Sequence, residues 1–365
     1  MGLATDQAKG LKHREGLQPS TPSRHHACCS KQVRRLQRAL MANSSGEGMY
    51  LHVLDQLVGV LARVSDPENL TLGWEAARAT VTASMVAHGC VIITHDALGL
   101  DLCQAMFTRV LPDLFVLPVE AKQRVDYQGQ RPRWEWESLG IGEPMNADNV
   151  REFTNILWSE GNPEISEMIV SISKNMLTLE EMMETLVLEG LGVRKESARG
   201  HLDLLRHSIR MSRYGEPQDR ETSINMQPHC DDTMATMIVQ HEVEGLEVHV
   251  GDGRWVAVPP EPGTITFMAG EQFTVVTNGR VPACLHRVRT PSSRERFSVL
   301  FGPRQKGGVA VCPLDDLVDA EHPLLYNPLN HEKYFKWRYS EEGLKFKDPL
   351  KVYCGVYKDE ATAMV

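Results

Sequence analysis

Apolar residues along this chain keep two rhythms, one before Arg206 and one after it. Upstream, Ile165, Met168, Ile169, Ile172, Met176, Leu179, Met183, Leu186 and Val187 recur at spacings of three and four, which places them on one face of a helix. That helix is predicted to enter near Pro163 and to stop at Gly190 and Gly192, with its methionines as core filling. Trp74 to His88 has helical composition and ends at Gly89, and Val91 to Thr94 is a β-branched run that reads as a strand. Leu100 to Phe115 and Glu120 to Val125 read as further helices. Between Asp126 and Asn149 both rhythms fade, so this stretch is expected to be rich in loop.

After Arg206 the period becomes 2. Leu246 to Val250 and Trp255 to Val258 flank Gly251-Asp252-Gly253, and an Asp-Gly step between strands signals a hairpin. Ile265 to Ala269, Val275 to Thr277, Leu285 to Arg289 and Arg296 to Phe301 read as strands between Gly, Pro, Asn-Gly and Ser-rich turns. Many short strands at close spacing predict a sandwich or barrel. Helices precede strands, so the expected class is α+β with a mainly β core and helices buttressing one face of it.

Composition narrows the partners. A chain of 365 residues with 42% hydrophobic content can bury a sizeable core. Its net charge of -9 would repel nucleic acid and anionic membrane, which leaves a small molecule as the expected partner of an expected monomer. No run approaches the ~20 apolar residues of a membrane span, so a soluble protein is expected. The eight cysteines form no C-x-x-C pair, a pattern that suits reduced thiols and a cytoplasmic location. The first 45 residues differ: eight Lys or Arg oppose Asp6 and Glu15, so the remainder carries about -15 by subtraction. Such a segment reads as a disordered extension, with plastid or mitochondrial targeting as the alternative.

The chemistry concentrates in the second half. In His229-Cys230-Asp231 the two outer residues would share a face if the segment is a strand, and His286 offers a third ligand 55 residues beyond Asp231. Two histidines and a carboxylate make the facial set that leaves open positions on iron(II). An H-x-D step alone is weak among 14 histidines, and His241, His249 and His322 are read as ordinary surface residues. Arg296 and Ser298 follow His286 and alternate with Phe297, Val299 and Phe301, so on a strand they occupy one face. A buried guanidinium there would require an anion, and its fork matches a carboxylate.

Taken together, His229-x-Asp231, His286 and Arg296-x-Ser298 resemble the signature of the plant 2-oxoglutarate and iron(II)-dependent dioxygenases. Asn278-Gly279-Arg280, Gly245-Leu246-Glu247-Val248, the Asp252-Gly253 hairpin, Lys306-Gly307-Gly308 and His88-Gly89-Cys90 are similar to segments of that group, so the likeness spans roughly residues 70 to 345. It looks nearest the branch named for alkenyl and hydroxyalkyl glucosinolate production. Ser212, Cys230 and Glu271 depart from the Asn, Thr and Asp common in the family.

The resemblance implies a double-stranded β-helix, or jelly roll. It implies iron held by His229, Asp231 and His286; 2-oxoglutarate bound by Arg296, Ser298 and Tyr214; dioxygen as second co-substrate; and ascorbate as reductant. The expected organisation is a basic extension over 1–68, a mostly helical region over 69–206, the dioxygenase core over 207–308 and a helical tail over 309–365. The expected reaction is oxidation of a plant hormone or specialised metabolite, with release of succinate and carbon dioxide. An indole-type compound such as auxin or melatonin, a phenolic and a terpenoid acid are the candidates. Hydroxylation is the default outcome, with desaturation, ring closure and demethylation as alternatives. Trp134, Trp136, Phe267, Phe273 and Val275 are the substrate-lining candidates by position. The alternatives are an inactive jelly-roll binding protein and a zinc-loaded hydrolase; the zinc reading leaves Arg296-x-Ser298 without a role.

Overall fold

The computed structural model describes residues 58–60, 70–94, 96–129, 136–217, 219–250, 253–291 and 294–356. In chain order the elements begin with β1 (Val58–Val60), α1 (Leu70–His88) and β2 (Cys90–Thr94). Helix α2 (Leu100–Ala105) runs through a π-helical turn, Met106–Val110, into α3 (Leu111–Phe115), followed by α4 (Val119–Lys122), β3 (Asp126–Gly129) and β4 (Trp136–Gly142). Three helices come next, α5 (Ala147–Leu157), α6 (Pro163–Gly190) and α7 (Lys195–Leu202). The strands β5 (Leu205–Tyr214), β6 (Ile224–His229), β7 (Ala235–Gln240), β8 (Leu246–Val250), β9 (Arg254–Ala257) and β10 (Thr264–Ala269) follow. The chain closes with α8 (Glu271–Val276), β11 (His286–Arg289), β12 (Arg296–Gln305), α9 (His331–Arg338) and α10 (Pro349–Tyr353).

Eight strands form one sheet in the order β1-β2-β10-β7-β12-β5-β4-β3, and four form another in the order β6-β11-β8-β9. Every pairing is antiparallel except β1 with β2. Side chains of Cys90, Ile92, Ile238 and Met268 meet Leu246, Val248, Val250 and Val256 between the sheets. The opposite face of the large sheet, with Ile209, Met211, Val299 and Phe301, packs with the helices in a second cluster. This is a jelly roll with a helical layer on one side. No helix of the described residues is long and apolar enough to cross a membrane.

Local chemistry explains the long helix. Pro163 occupies its first turn, Asn162 Oδ1 accepts from the Ile165 amide at 3.1 Å, and Gly192 takes a φ of 90° beyond its end. The stripe from Ile165 to Val187 is buried apart from Met168, which is half-buried; complete burial of each such side chain contributes roughly 1.5–3 kcal/mol. Gly89 links α1 to β2 with φ 67°, and an added Cβ would stand 2.2 Å from the Pro282 carbonyl oxygen, so no other residue fits.

Several expectations are corrected. Residues 126–149 are not mainly loop, because β3 and β4 extend the large sheet there. In β4, Ser138, Gly140 and Gly142 lie on one face and Glu137, Leu139 and Ile141 on the other. Glycines on one side and a buried acid on the other erase the apolar alternation. Glu137 is accommodated by Lys122 at 2.6 Å and Arg213 at 2.7 Å. The run Val275 to Thr277 is helical in α8 apart from its last residue: Gly270 caps it in extended conformation and all six side chains are buried, so tertiary packing overrides β-branched propensity. Segments β6, which is largely polar, and β7, an apolar run buried in the large sheet, are additional strands. The tail beyond 309 is mostly irregular, with only short helices among the described residues. Within 1–68, Val58–Val60 form a strand; the rest of that predicted extension lies outside the described residues.

Buried polar pairs tie α6 to the sheet, through His207 of β5, and to its neighbour α7, through His201. Glu180 and Glu184, one turn apart on α6, reach His207 at 3.1 Å and His201 at 3.0 Å, and His207 stacks on Phe301. Burial pushes Glu184 up to about 7 and His201 down to about 4, so both favour their neutral forms. A raised carboxyl contributes stability that is complete below its unfolded value and lost as pH rises through about 7. The lowered imidazole acts on the other side, losing its contribution as pH falls toward about 4. The thermal midpoint is therefore expected to fall by several degrees between pH 6 and pH 9, and Glu184→Gln to flatten that decline. Scanning calorimetry across this range checks it; an unchanged slope in the variant would remove Glu184 as the cause.

Candidate functional site

The two candidate histidines are direct cross-strand neighbours. His229 ends β6, His286 opens β11, and their Cα positions pair across the small sheet. Between this pair and the next, Val288 with Met226, β6 spends one extra residue, a bulge in which Gln227 and Pro228 together oppose Arg287. The rings stand 4.2 Å apart between centroids. His229 Nδ1 lies 2.8 Å from the Gln227 carbonyl oxygen and His286 Nδ1 3.1 Å from that of Cys284. A carbonyl only accepts, so each Nδ1 carries hydrogen and each Nε2 keeps a free lone pair.

Asp231 joins them from outside the strand. The sequence argument placed it on a shared strand face, whereas β6 ends at His229 and a turn delivers Asp231. Thr236 Oγ1 donates to its Oδ2 at 2.5 Å, leaving Oδ1 3.6 Å from His229 Nε2 and 3.7 Å from His286 Nε2. One atom from each of the three residues lies within 4.8 Å of the others, and no other group of three among the described residues does so. Two bare imidazole nitrogens and a carboxylate oxygen suit a divalent transition metal. Burial, and then the neighbouring His286, hold His229 below its ordinary value, which keeps it neutral and able to ligate. Cys230, between two of the candidate ligands, is pushed up to about 12 chiefly by burial and stays a thiol.

Far segments hold the turn. The Asp231 carbonyl accepts from the Glu271 amide at 2.8 Å. Asp232 receives Arg304 at 2.9 Å and His331 of α9 at 3.0 Å; although burial opposes it, these two partners hold its carboxyl well below the usual range. Arg338, also on α9, bonds Glu271 and the Cys230 carbonyl. Burial pushes Glu271 up to about 7 against the pull of Arg338 and of the Tyr334 hydroxyl.

Across the cavity, β5 and β12 present Tyr214, Ser212, Arg296 and Ser298 on one face, as the period of 2 requires. Arg296 is 1% exposed. Its Nη2 donates to Gln240 Oε1 at 2.8 Å, and the Tyr214 ring centroid lies 4.8 Å from the guanidinium carbon. Its Nε and Nη1 have no partner. A buried cation with two idle donors is poised for an anion, and its fork fits a carboxylate.

The candidate lining residues separate. Trp136 lines the cavity, with Met226, Ile238, Leu246 and Val288 as apolar wall. Phe267 and Phe273 do not: both are completely buried in the cluster between sheet and helices, as is Val275. On β10 the residues facing the other sheet are Thr266 and Met268, one step out of phase with Phe267. Trp134 lies outside the described residues. Thr236, Gln240 and Gly245 were not singled out as functional, because each acts by supporting another side chain, which leaves no local signal.

Residues 205–302 match the 2OG-Fe(II) oxygenase superfamily. Over 279 residues the chain is 30% identical to the "Probable 2-oxoglutarate-dependent dioxygenase AOP1" of Arabidopsis thaliana, covering 74% of this chain and 92% of that protein. The chain belongs to the 2-oxoglutarate and iron(II)-dependent oxygenases. The AOP relatives lie in the branch to which the motifs pointed. Among solved structures, a dioxygenase for auxin oxidation from rice superposes with a TM-score of 0.66 at 26% identity, covering 77% of this chain and 94% of that one. Its counterpart from Arabidopsis thaliana, in complex with 2-oxoglutarate, gives 0.64 at 22% identity over 73% and 98%. The cofactors of this enzyme class are iron(II) and 2-oxoglutarate, and the His-Asp-His set and the unpartnered Arg296 nitrogens fit them.

Gly245 supplies a test. A Cβ there would stand 2.7 Å from both Cδ and Nε of Arg296, so Gly245→Ala must displace the guanidinium. The variant is expected to bind 2-oxoglutarate at least tenfold more weakly with iron content unchanged, read by calorimetry and metal analysis. Unaltered affinity would remove Arg296 as the carboxylate-binding group.

Proposed function

We propose that this oxygenase oxidises a small plant metabolite, by default through hydroxylation, with iron at His229, Asp231 and His286 and 2-oxoglutarate against Arg296, Ser298 and Tyr214. The observation that carries the reading is the buried Arg296, whose Nε and Nη1 find no protein partner and which lines the same cavity as the His-Asp-His set. A zinc hydrolase has no use for such a group, and an inactive binding module has no use for both together.

Each residue has a separable task. His229 and His286 are held in one tautomer by backbone carbonyls, Asp231 is aimed by Thr236, and Arg296 is held by Gln240 while it takes the distal carboxylate. When bound, the iron and its co-substrates supply an oxidant able to take hydrogen from carbon, with 2-oxoglutarate leaving as succinate and carbon dioxide. The wall around the ligand set joins an apolar patch of Trp136, Met226, Ile238, Leu246 and Val288 to a polar one of serines and arginines. For the substrate we infer an indole-type compound such as auxin or melatonin. Trp136 and the aliphatic patch offer a surface for a flat ring, and two of the solved structures that share this fold are dioxygenases for auxin oxidation.

Purified protein with iron(II), ascorbate and 2-oxoglutarate is expected to release succinate, and His229→Ala to abolish that release. Arg296→Ala should raise the 2-oxoglutarate requirement by roughly 10- to 100-fold while iron content holds. Succinate release that is identical in wild type and His229→Ala would sink the metal assignment, and equal iron loss in both variants would give Arg296 a folding role instead.

A further inference from the structure

The cavity is charged against the sign of the chain. The sequence carries -9, yet the fully charged side chains lining the cavity are Arg210, Arg296 and Arg304 against Asp231. On the reading above, Asp231 meets the metal and Arg296 meets the co-substrate. Arg304 is engaged at the rim, shared with His331 on Asp232. Arg210 remains.

Its position is set by register. Arg210 lies on the cavity face of β5, four residues before Tyr214 and so roughly 13 Å along the strand from the Arg296 row. Its row neighbours are Leu300 on β12 and Gly140 on β4, and the rows on either side hold Ser212 with Ser138 and Ser208 with Gly142. The floor here is built from small residues. A Cβ on Gly140 would stand 2.2 Å from Asp126 Oδ2 and 3.0 Å from Arg210 Nη2, so the guanidinium can lie across β4 only because that strand has no side chain there. On Gly142 an added Cβ would meet nothing within 4 Å.

The present partners of Arg210 are weak holders. Its Nη1 donates to Ser138 Oγ at 3.0 Å and its Nη2 to Asp126 Oδ2 at 2.8 Å. Asp126 sits at the sheet margin, 57% exposed, and Arg210 is 30% exposed. An ion pair open to water gains little and exchanges easily, whereas a ligand carboxylate seated in the concave cavity would meet the fork on both arms.

We propose that Arg210 anchors the primary substrate, that the substrate carries a carboxylate, and that this group displaces Asp126 from Arg210 when it binds. The inference rests on the proposed reading in placing the substrate beside the ligand set. It separates the acidic candidates of the indole class from neutral ones.

The test uses the full chain loaded with manganese(II) and saturating 2-oxoglutarate, so that Arg296 is already occupied. Titration calorimetry then compares indole-3-acetate, phenylacetate and 4-phenylbutyrate with their primary amides. The best-bound acid is expected to exceed its amide at least tenfold; Arg210→Gln should reduce that preference below threefold, and Asp126→Asn should increase the affinity for the acid by removing the competitor. No acid preference in wild type, an equal preference in Arg210→Gln, or weaker acid binding in Asp126→Asn overturns the proposal. Wild-type protein that releases succinate but shows no acid preference loses this inference alone. Acid preference without succinate release would instead remove the metal and co-substrate assignment.

Discussion

A guanidinium buried to 1% exposure without a carboxylate from its own chain is the constraint around which the cavity is arranged. Leaving a charge in a low-dielectric interior is costly unless hydrogen bonds and a counter-charge compensate it. The chain meets part of that need with Gln240 and the face of Tyr214, and it clears the necessary space with a glycine at position 245. On the proposed reading the remaining need is met by the carboxylate of 2-oxoglutarate, so that a residue costly to the empty fold becomes a source of affinity for an anionic co-substrate. Three strands, β5, β7 and β12, must keep register for this to hold, because their row contains Ser212, Gln240 and Ser298 just beneath the guanidinium.

The opposite sheet answers with a second constraint. Pairing His229 with His286 across β6 and β11 fixes two nitrogens, and backbone carbonyls fix which nitrogens they are. The third group comes from a turn that has no regular structure of its own, and it is held by Thr236, the Glu271 amide and, through Asp232, by α9 some hundred residues later. The C-terminal segment is thus part of the support of the site. The helical layer has a comparable role on the other side, where the Glu180–His207 contact and the stack of His207 on Phe301 lock α6 to the strands that carry Tyr214 and Arg296.

Much of this was legible in the sequence. The α6 stripe is long and strictly periodic, and helix termini carry local chemistry, so Pro163, Gly190 and Gly192 marked its bounds. His229, Asp231, His286, Arg296 and Ser298 were legible because each reports its chemistry by residue type, and because a period of 2 separates Arg296 and Ser298 from Phe297, Val299 and Phe301. Family resemblance rested on those same positions.

What tertiary structure alone decided is who stands next to whom when the local signal is weak or misleading. The β3–β4 hairpin was hidden because beyond Trp136 the cavity face of β4 is only Ser and Gly and its other face includes a buried Glu137, matched by Lys122 and Arg213 from elsewhere. Phe267 and Phe273 share an aromatic character that suits a pocket, but which side of a strand or helix faces a cavity depends on the layer packed against it. Arg210 had no sequence signal at all. Its meaning comes from the register that sets it between Gly140 and Leu300, since a charge becomes a binding group only when the surrounding backbone leaves room for the ligand.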